Sequence, residues 1–181
     1  MTDQELKDLV ARLAQAQEKT DAQLRLNAQQ QAKSDEKLDK LGKLYGGISA
    51  NMGAHAEEFF YNSLEHAPTV GGVSYDEIFA KVYGGQRGKQ TKYDLVLVNG
   101  NAVALIEVKY KVHPDHIEQV EKQLKQYRDH FPEHKDFKLY GGIAGFSIPD
   151  EVIEQAHQRG LFILKAKGDV IEQDTQAMRA F

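Results

Sequence analysis

The first 52 residues carry a seven-residue repeat of apolar and polar positions. One seam position of the repeat holds Leu6, Leu13, Thr20, Asn27, Ser34, Leu41 and Ile48. The other seam position holds Val10, Gln17, Leu24, Gln31, Leu38, Tyr45 and Met52. This alternating spacing of three and four residues is typical of a coiled coil, and polar seam residues can fix register or oligomer state. We therefore predict a helix over 1–52 that joins chains into a dimer or tetramer. A single charged amphipathic helix is the alternative.

Residues 53–181 show shorter patterns that alternate between helical and extended periods. Helices are predicted over 53–66, 114–131 and 149–159, and strands over 78–83, 92–98, 102–112, 139–146 and 161–167, with a last short strand after Gly168. The stretch Asn99-Gly100-Asn101 predicts the turn of a hairpin. This order predicts an α/β fold in which helices flank a mixed sheet. The predicted domains are a coiled coil over 1–52 and a globular domain over 53–181.

Composition narrows the class of protein. No apolar run approaches the roughly 18 residues of a membrane span, and the chain has no cysteine, which excludes disulfides and cysteine-ligated metals. We expect a cytoplasmic protein without a membrane partner. The net charge is −4, but residues 84–112 hold five basic and two acidic side chains, a local net charge of +3. Such a patch can guide a polyanion even on an acidic protein.

The hairpin carries charges that an apolar strand pair does not need. Asp94 lies near the start of one arm, and Glu107 and Lys109 lie near the end of the other. A short turn places Asp94 near Glu107, and strand alternation turns Glu107 and Lys109 to one face. Paired carboxylates repel unless a cation lies between them, and oxygen ligands suit Mg²⁺ or Mn²⁺. A salt-bridged strand end, with Lys109 neutralising both acids, is the alternative.

Two predicted helices add polar residues to this group. Glu57 shares the apolar face of its helix with Phe60, so its side chain is expected to point inward, whereas Glu58 is expected to face water. Gln123 and Tyr127 are four residues apart and share one face of the helix that follows the hairpin.

This set of residues resembles the PD-(D/E)XK nuclease superfamily, in the Gln-x-x-x-Tyr branch that includes RecB-type nucleases. The likeness rests on Asp94, Glu107-Val108-Lys109, the Gln123–Tyr127 element and the helical Gly53-x-x-x-Glu57, and it covers residues 53 to about 167. Tyr93 stands where the family motif has proline. The resemblance implies a restriction-endonuclease-like core in which Asp94, Glu107 and Glu57 bind Mg²⁺ or Mn²⁺ and Lys109 positions the attacking water. It also implies that Gln123 and Tyr127 support the site or touch the nucleic-acid backbone.

Basic residues around the hairpin complete the predicted site. Arg87, Lys89 and Lys92 precede the Asp94 strand and Lys111 follows Lys109, so we expect these four side chains to contact phosphates. The predicted function is that of a metal-dependent nuclease, acting on nucleic acid and most simply on DNA, held as a coiled-coil oligomer. The alternative is a catalytically silent nucleic-acid-binding or scaffold protein on the same fold.

Overall fold

The computed structural model describes the chain from Asp3 to Phe181, without the side chains of residues 5, 6, 9–11 and 14. The elements are α1 (Asp3–Glu65), β1 (Thr69–Val70), β2 (Val73–Ser74), β3 (Glu77–Gly84), β4 (Thr91–Val98), β5 (Ala102–Lys111), α2 (Asp115–His130), a 3₁₀ turn (Pro132–His134), β6 (Lys138–Ser147), α3 (Asp150–Gln158), β7 (Phe162–Lys167) and β8 (Val170–Asp174). The chain divides into two compact units, Met1–Ser49 and Ala50–Phe181.

The first unit is helical and continuous through Gly46-Gly47. Its described seam leucines face solvent: Leu13, Leu24, Leu38 and Leu41 are each more than half exposed. Leu6 and Val10, also predicted seam residues, lie outside the described side chains. A long N-terminal helix is therefore confirmed, whereas its pairing with other chains stays a prediction. Among the helices of the described chain, none combines the length and the apolar character that a membrane crossing requires.

The second unit is built on one six-stranded sheet, in the order β3-β4-β5-β6-β7-β8. Neighbouring strands are antiparallel from β3 to β5, parallel from β5 to β7, and antiparallel again between β7 and β8. The predicted mixed sheet flanked by helices is thus confirmed. The hairpin strands β4 and β5 lie inside the sheet, which explains why both of their faces are apolar.

An apolar core fills each face of the sheet. On one face the end of α1 packs through Ala56, Phe60 and Leu64. On the other face α2 and α3 pack through residues such as Ile117 and Val152. The sheet is therefore the middle layer of three, and any polar side chain at its centre is shielded from water on both sides.

The predicted turn joins β4 to β5 and sets their register. Asn99 Oδ1 accepts hydrogen bonds from the backbone N–H groups of Asn101 (3.0 Å) and Ala102 (2.7 Å). Val98 then pairs with Val103, and Leu95 pairs with Ile106. The ladder ends at this pair, so Asp94 and Glu107 lie just beyond its last residues.

A small hairpin between α1 and β3 was not predicted. Strands β1 and β2 have two residues each, too few for a visible alternation, and are joined by Gly71 and Gly72. Both glycines have positive φ, +58° and +77°, which glycine adopts without steric cost. The sequence shows the turn, but not that the flanking residues pair.

Glycines in β6 permit close packing on both faces of the sheet. A Cβ at Gly142 would lie 2.1 Å from the ring of Phe162, and one at Gly141 would lie 2.6 Å from Leu124. The small residues of this strand therefore admit a large aromatic side chain on one face and α2 on the other.

We expect Gly142→Ala to lower the free energy of unfolding by about 2 kcal/mol, because the buried ring of Phe162 would have to shift. Chemical denaturation measures this change. Gly100→Ala is the matched control, since no other side chain or backbone atom lies within 4 Å of a Cβ there, and it should change stability by less than about 0.5 kcal/mol. Equal stability of the two variants would contradict this account of β6.

Candidate active site

The alternation of side chains between the two faces of the sheet is interrupted at Asp94 in β4, opposite Lys81 in β3. Tyr93 and Val96 both pack on the α2 side of the sheet, whereas Leu95 packs on the α1 side. The ladder pairs Ala80 with Leu95 and Val82 with Tyr93, and omits Lys81 opposite Asp94. Lys81 has φ of +55°, an unusual value for a residue with a side chain. The interruption lets Asp94 turn its carboxylate toward β5.

The Asp94 carboxylate fills the gap between β4 and β5. Its Oδ2 accepts a hydrogen bond from the backbone N–H of Val108 at 3.1 Å, beyond the last paired residues of the ladder. Its Oδ1 lies 2.7 Å from Lys92 Nζ, and its Oδ2 lies 3.7 Å from Lys109 Nζ. Asp94 is 5% exposed, and these contacts compensate for lost hydration.

Glu107 is the most deeply buried acid of the site, at 1% exposure. Lys109 Nζ and Gln119 Nε2 both donate to its Oε1, the latter at 2.7 Å. Gln123 Nε2 donates to its Oε2 at 2.7 Å. Burial is the main cause that raises the pKa of Glu107, and the charge of Asp94 adds to it, whereas Lys109 and Gln123 oppose the rise. The carboxylate is therefore held by donors on β5 and α2.

Glu57 joins the site from α1. Its side chain is 19% exposed, and its Oε1 lies 2.7 Å from Lys92 Nζ. Its Oε2 lies 3.5 Å from Lys81 Nζ. Glu58, the next residue, is exposed. The inward orientation predicted for Glu57 and the solvent exposure predicted for Glu58 are both observed.

Gln123 and Tyr127, which were predicted to share one face of a helix, have different hydrogen-bond partners. Gln123 is 3% exposed and donates to the Lys92 carbonyl (3.0 Å) as well as to Glu107. The Tyr127 hydroxyl instead hydrogen-bonds to His134 Nδ1 at 2.9 Å. The ring of Tyr127 packs edge-on against Tyr93, with centroids 5.4 Å apart. Tyr127 is buried, so it supports the strand that carries Asp94 and does not reach the surface.

Gln119 is a site residue that the sequence analysis missed. It stands one helical turn before Gln123 on α2, so both amides meet Glu107. The spacing of four residues was a usable signal, because side chains four apart share a helix face. Nothing in the local sequence distinguishes Gln119 from an ordinary surface glutamine.

The predicted phosphate-binding residues also separate into two groups. Arg87, Lys89 and Lys111 are exposed, and none of them forms an ion pair among the described residues. Lys92 differs, because its ammonium group lies between Asp94 and Glu57. Burial alone would lower the pKa of Lys92, but hydrogen bonds to Asp94 and Glu57, and their charges, outweigh it and raise that pKa. Lys92 therefore bonds carboxylates in this structure, and its contact with a phosphate stays a prediction.

The donor chemistry of the site fits a divalent cation. Asp94 and Glu57 direct carboxylate oxygens at one ammonium group, 2.7 Å from each, which marks a point where a cation is stabilised. Hard oxygen ligands of this kind suit Mg²⁺ or Mn²⁺. Across residues 3–181, leaving aside the undescribed side chains, no three histidine or acidic groups are arranged to hold one metal together. The side chains therefore fit the ion by type, whereas their observed partners are lysines.

Comparisons with known proteins give distant similarities only. No protein-family model and no curated protein sequence matches the chain. Similar solved structures include a repair endonuclease from Pyrococcus abyssi, at 16% identity and a TM-score of 0.47 over 61% of this chain and 46% of that one. Protein VC1899 from Vibrio cholerae also matches, at 16% identity and a TM-score of 0.41 over 61% of this chain and 28% of that one. The chain thus spans less than half the length of either structure.

Replacing Lys109 by methionine should destabilise the fold in a pH-dependent way. The variant leaves Glu107 buried without its nearest cation, which should cost about 3 kcal/mol where Glu107 is ionised. Because the folded pKa of Glu107 is raised, protonation of Glu107 favours the folded state at acidic pH, and this contribution is lost as pH rises through that pKa. The loss in the variant should therefore shrink as the pH falls.

Denaturant unfolding of the parent and the variant at neutral and acidic pH measures this difference. Lys111→Met is the control, because Lys111 is exposed and lies two residues further along the same strand. A destabilisation by Lys109→Met that stays constant with pH would show that Lys109 does not compensate Glu107.

Proposed function

We propose that this chain is a metal-dependent nuclease that hydrolyses phosphodiester bonds in nucleic acid. The observation that carries the proposal is the burial of Glu107 and Asp94 beside Lys109 on two central strands. Buried charges of this kind add little stability compared with apolar side chains of similar volume. A role in binding a metal and a phosphate would explain why these charged groups are buried, because catalytic sites concentrate acids and bases with perturbed pKa values.

The residues divide into roles that follow from their positions. Asp94, Glu107 and Glu57 would hold Mg²⁺ or Mn²⁺ through carboxylate oxygens. Such an ion, when bound, lowers the pKa of a water and screens the charge of a phosphate. Lys109, partly exposed beside both acids, would position the attacking water and stabilise negative charge on the phosphate oxygens.

Gln119 and Gln123 would keep the Glu107 carboxylate fixed in its orientation. Both amides reach it from one face of α2, and each donates to a different oxygen. Tyr127 would act indirectly, through its packing against Tyr93. Rigid placement of this kind matters because small displacements of catalytic groups reduce rates strongly.

The exposed basic residues would bind the phosphate backbone. Arg87 and Lys89 lie between β3 and β4, just ahead of the strand that carries Asp94, and Lys111 ends the strand that carries Glu107 and Lys109. Contacts of this kind carry no base sequence and weaken as salt rises. DNA is the substrate that we propose to test first.

A catalytically silent nucleic-acid-binding or scaffold protein is the second candidate. The observation that favours it is the pairing of every acid of the site with a lysine: Lys92 and Lys81 at Glu57, Lys92 at Asp94, and Lys109 at Glu107. A closed network of ion pairs needs no metal for charge balance. Metal-dependent cleavage and metal-dependent stabilisation separate the two candidates.

We also propose that residues 1–52 join copies of the chain. The described seam leucines are exposed on the surface of the helix. The same surface carries ion pairs such as Lys40–Glu36 (2.7 Å) and Lys43–Asp39 (2.8 Å). An isolated helix gains little from such pairs, whereas burial of a leucine seam against a second helix is strongly favourable. An oligomer would present more than one site to a nucleic acid.

The nuclease proposal predicts cleavage of single-stranded, duplex or branched DNA in the presence of Mg²⁺ or Mn²⁺. We expect Glu107→Gln and Lys109→Ala each to reduce the rate by about 100-fold or more, since each removes a group that acts on the reacting phosphate or its metal. Cleavage is followed on labelled substrates in gels.

Matched carboxylate variants provide the control for this experiment. Glu57→Gln should lose activity, whereas Glu58→Gln, one residue away and exposed, should keep the parent rate. The absence of cleavage for every substrate, together with an unchanged melting temperature when Mg²⁺ or Mn²⁺ is added, would favour the scaffold. Retention of activity in Glu107→Gln would place the chemistry elsewhere.

The oligomer proposal predicts that Leu41→Lys shifts the protein toward a lower mass in analytical ultracentrifugation, because a charge would enter the apolar seam. Leu44→Lys is the control: Leu44 is 64% exposed, close to the 61% of Leu41, but lies outside the seam. Equal masses for the parent and both variants would show that the predicted seam does not join the chains.

A further inference from the structure

Lys92 holds a position that none of the roles proposed above uses. Its ammonium nitrogen lies 2.7 Å from Asp94 Oδ1 and 2.7 Å from Glu57 Oε1. These two carboxylates come from different elements, β4 and α1, and Lys92 is the side chain that joins them. Lys92 reaches Glu57 on the α1 side of the sheet, and the adjacent Tyr93 packs on the α2 side.

A divalent ion and this ammonium group cannot occupy the same place. Mg²⁺ and Mn²⁺ contact carboxylate oxygens at about 2.0–2.1 Å, so an ion that bound Asp94 Oδ1 and Glu57 Oε1 together would overlap with the nitrogen of Lys92, which both oxygens now contact. Two cations at that distance also repel each other strongly in a partly buried site. Binding of the metal through both oxygens therefore requires Lys92 to leave.

The Lys92 side chain can move away from the two carboxylates. Its side chain is 36% exposed, and the four-carbon stem of lysine rotates freely once its charge has another partner. It begins next to the turn that carries Arg87 and Lys89, where a phosphate backbone would meet a row of basic groups. A phosphate oxygen offers the ammonium group the same kind of hydrogen bond that the carboxylates offer now.

We propose that Lys92 is a built-in competitor for the metal and that a bound polyanion releases it. This inference rests on the proposed function. Nucleic acid draws Lys92 from Asp94 and Glu57 to a phosphate, and the freed carboxylate oxygens then bind Mg²⁺ or Mn²⁺. The two ligands therefore bind cooperatively, and by linkage each tightens the other by the same factor. Lys92 is a positioning residue, because it acts through the two carboxylates.

Titration calorimetry with Mn²⁺ tests this inference without relying on activity. Lys92→Met should bind Mn²⁺ more tightly than the parent in the absence of nucleic acid, by roughly fivefold or more. A DNA oligonucleotide with phosphorothioate linkages, which resists hydrolysis, should tighten Mn²⁺ binding to the parent but have little effect on Lys92→Met. Lys122→Met, an exposed lysine on α2, removes the same charge and should behave as the parent does.

Thermal unfolding provides an independent reading. Without metal, Lys92→Met removes the ammonium group nearest to both carboxylates and should melt at a lower temperature than the parent. Mn²⁺ should raise the melting temperature of the variant by more than that of the parent. Lys92→Gln keeps a hydrogen-bond donor without the charge, and it serves if the methionine variant does not fold.

The outcomes separate this inference from the proposed function. Equal Mn²⁺ affinity of the parent, Lys92→Met and Lys92→Gln would overturn the role of Lys92, and so would tightening by the oligonucleotide that survives both substitutions. In either case metal-dependent cleavage by the parent would leave the nuclease proposal standing. If no protein binds Mn²⁺, with or without the oligonucleotide, both proposals are wrong.

Discussion

The burial of one carboxylate, that of Glu107, sets the demands that the rest of the site meets. A charge at 1% exposure in the middle strand of a layered sheet is costly unless hydrogen-bond donors surround it. Helix α2 supplies two glutamine amides, and β5 supplies the ammonium group of Lys109. The position of α2 against the sheet is therefore fixed by polar contacts as well as by its apolar face.

A second constraint comes from the interruption opposite Lys81. A regular antiparallel pair would turn Asp94 fully onto one face of the sheet, away from the β5 backbone. The irregular step instead directs its carboxylate into the plane, where it takes the Val108 N–H that the ladder leaves unpaired. The positive φ of Lys81 is the local cost of this arrangement, and strained residues of this kind concentrate at functional sites.

Features of the structure that depend on local sequence signals could be predicted from the sequence. The Asn99-Gly100 turn fixed the register of the hairpin, and periodicity was enough to place Glu57 on the inner face of its helix. The ion pairs of Lys92 were not predicted, because the contact with Glu57 depends on how α1 packs against β4, which the sequence alone does not show. Tyr127 was assigned by spacing from Gln123, but its hydroxyl group found a nearer partner in His134. Gln119 shares a helix face with Gln123, a signal that the sequence analysis did not use.

The turn between β4 and β5 has a practical consequence for handling this protein. It lies at the opposite end of the hairpin from the acidic residues, and Gly100 has open space around it. Asn99 anchors the turn through its own side chain, with its amide donating to the Ser74 carbonyl at 2.6 Å. A fluorophore attached at position 100 would therefore report on the protein from a solvent-facing point, without interrupting the hydrogen bonds of Asn99 to Asn101 and Ala102. Exposed loop tips are where folded domains accept such changes with least disturbance.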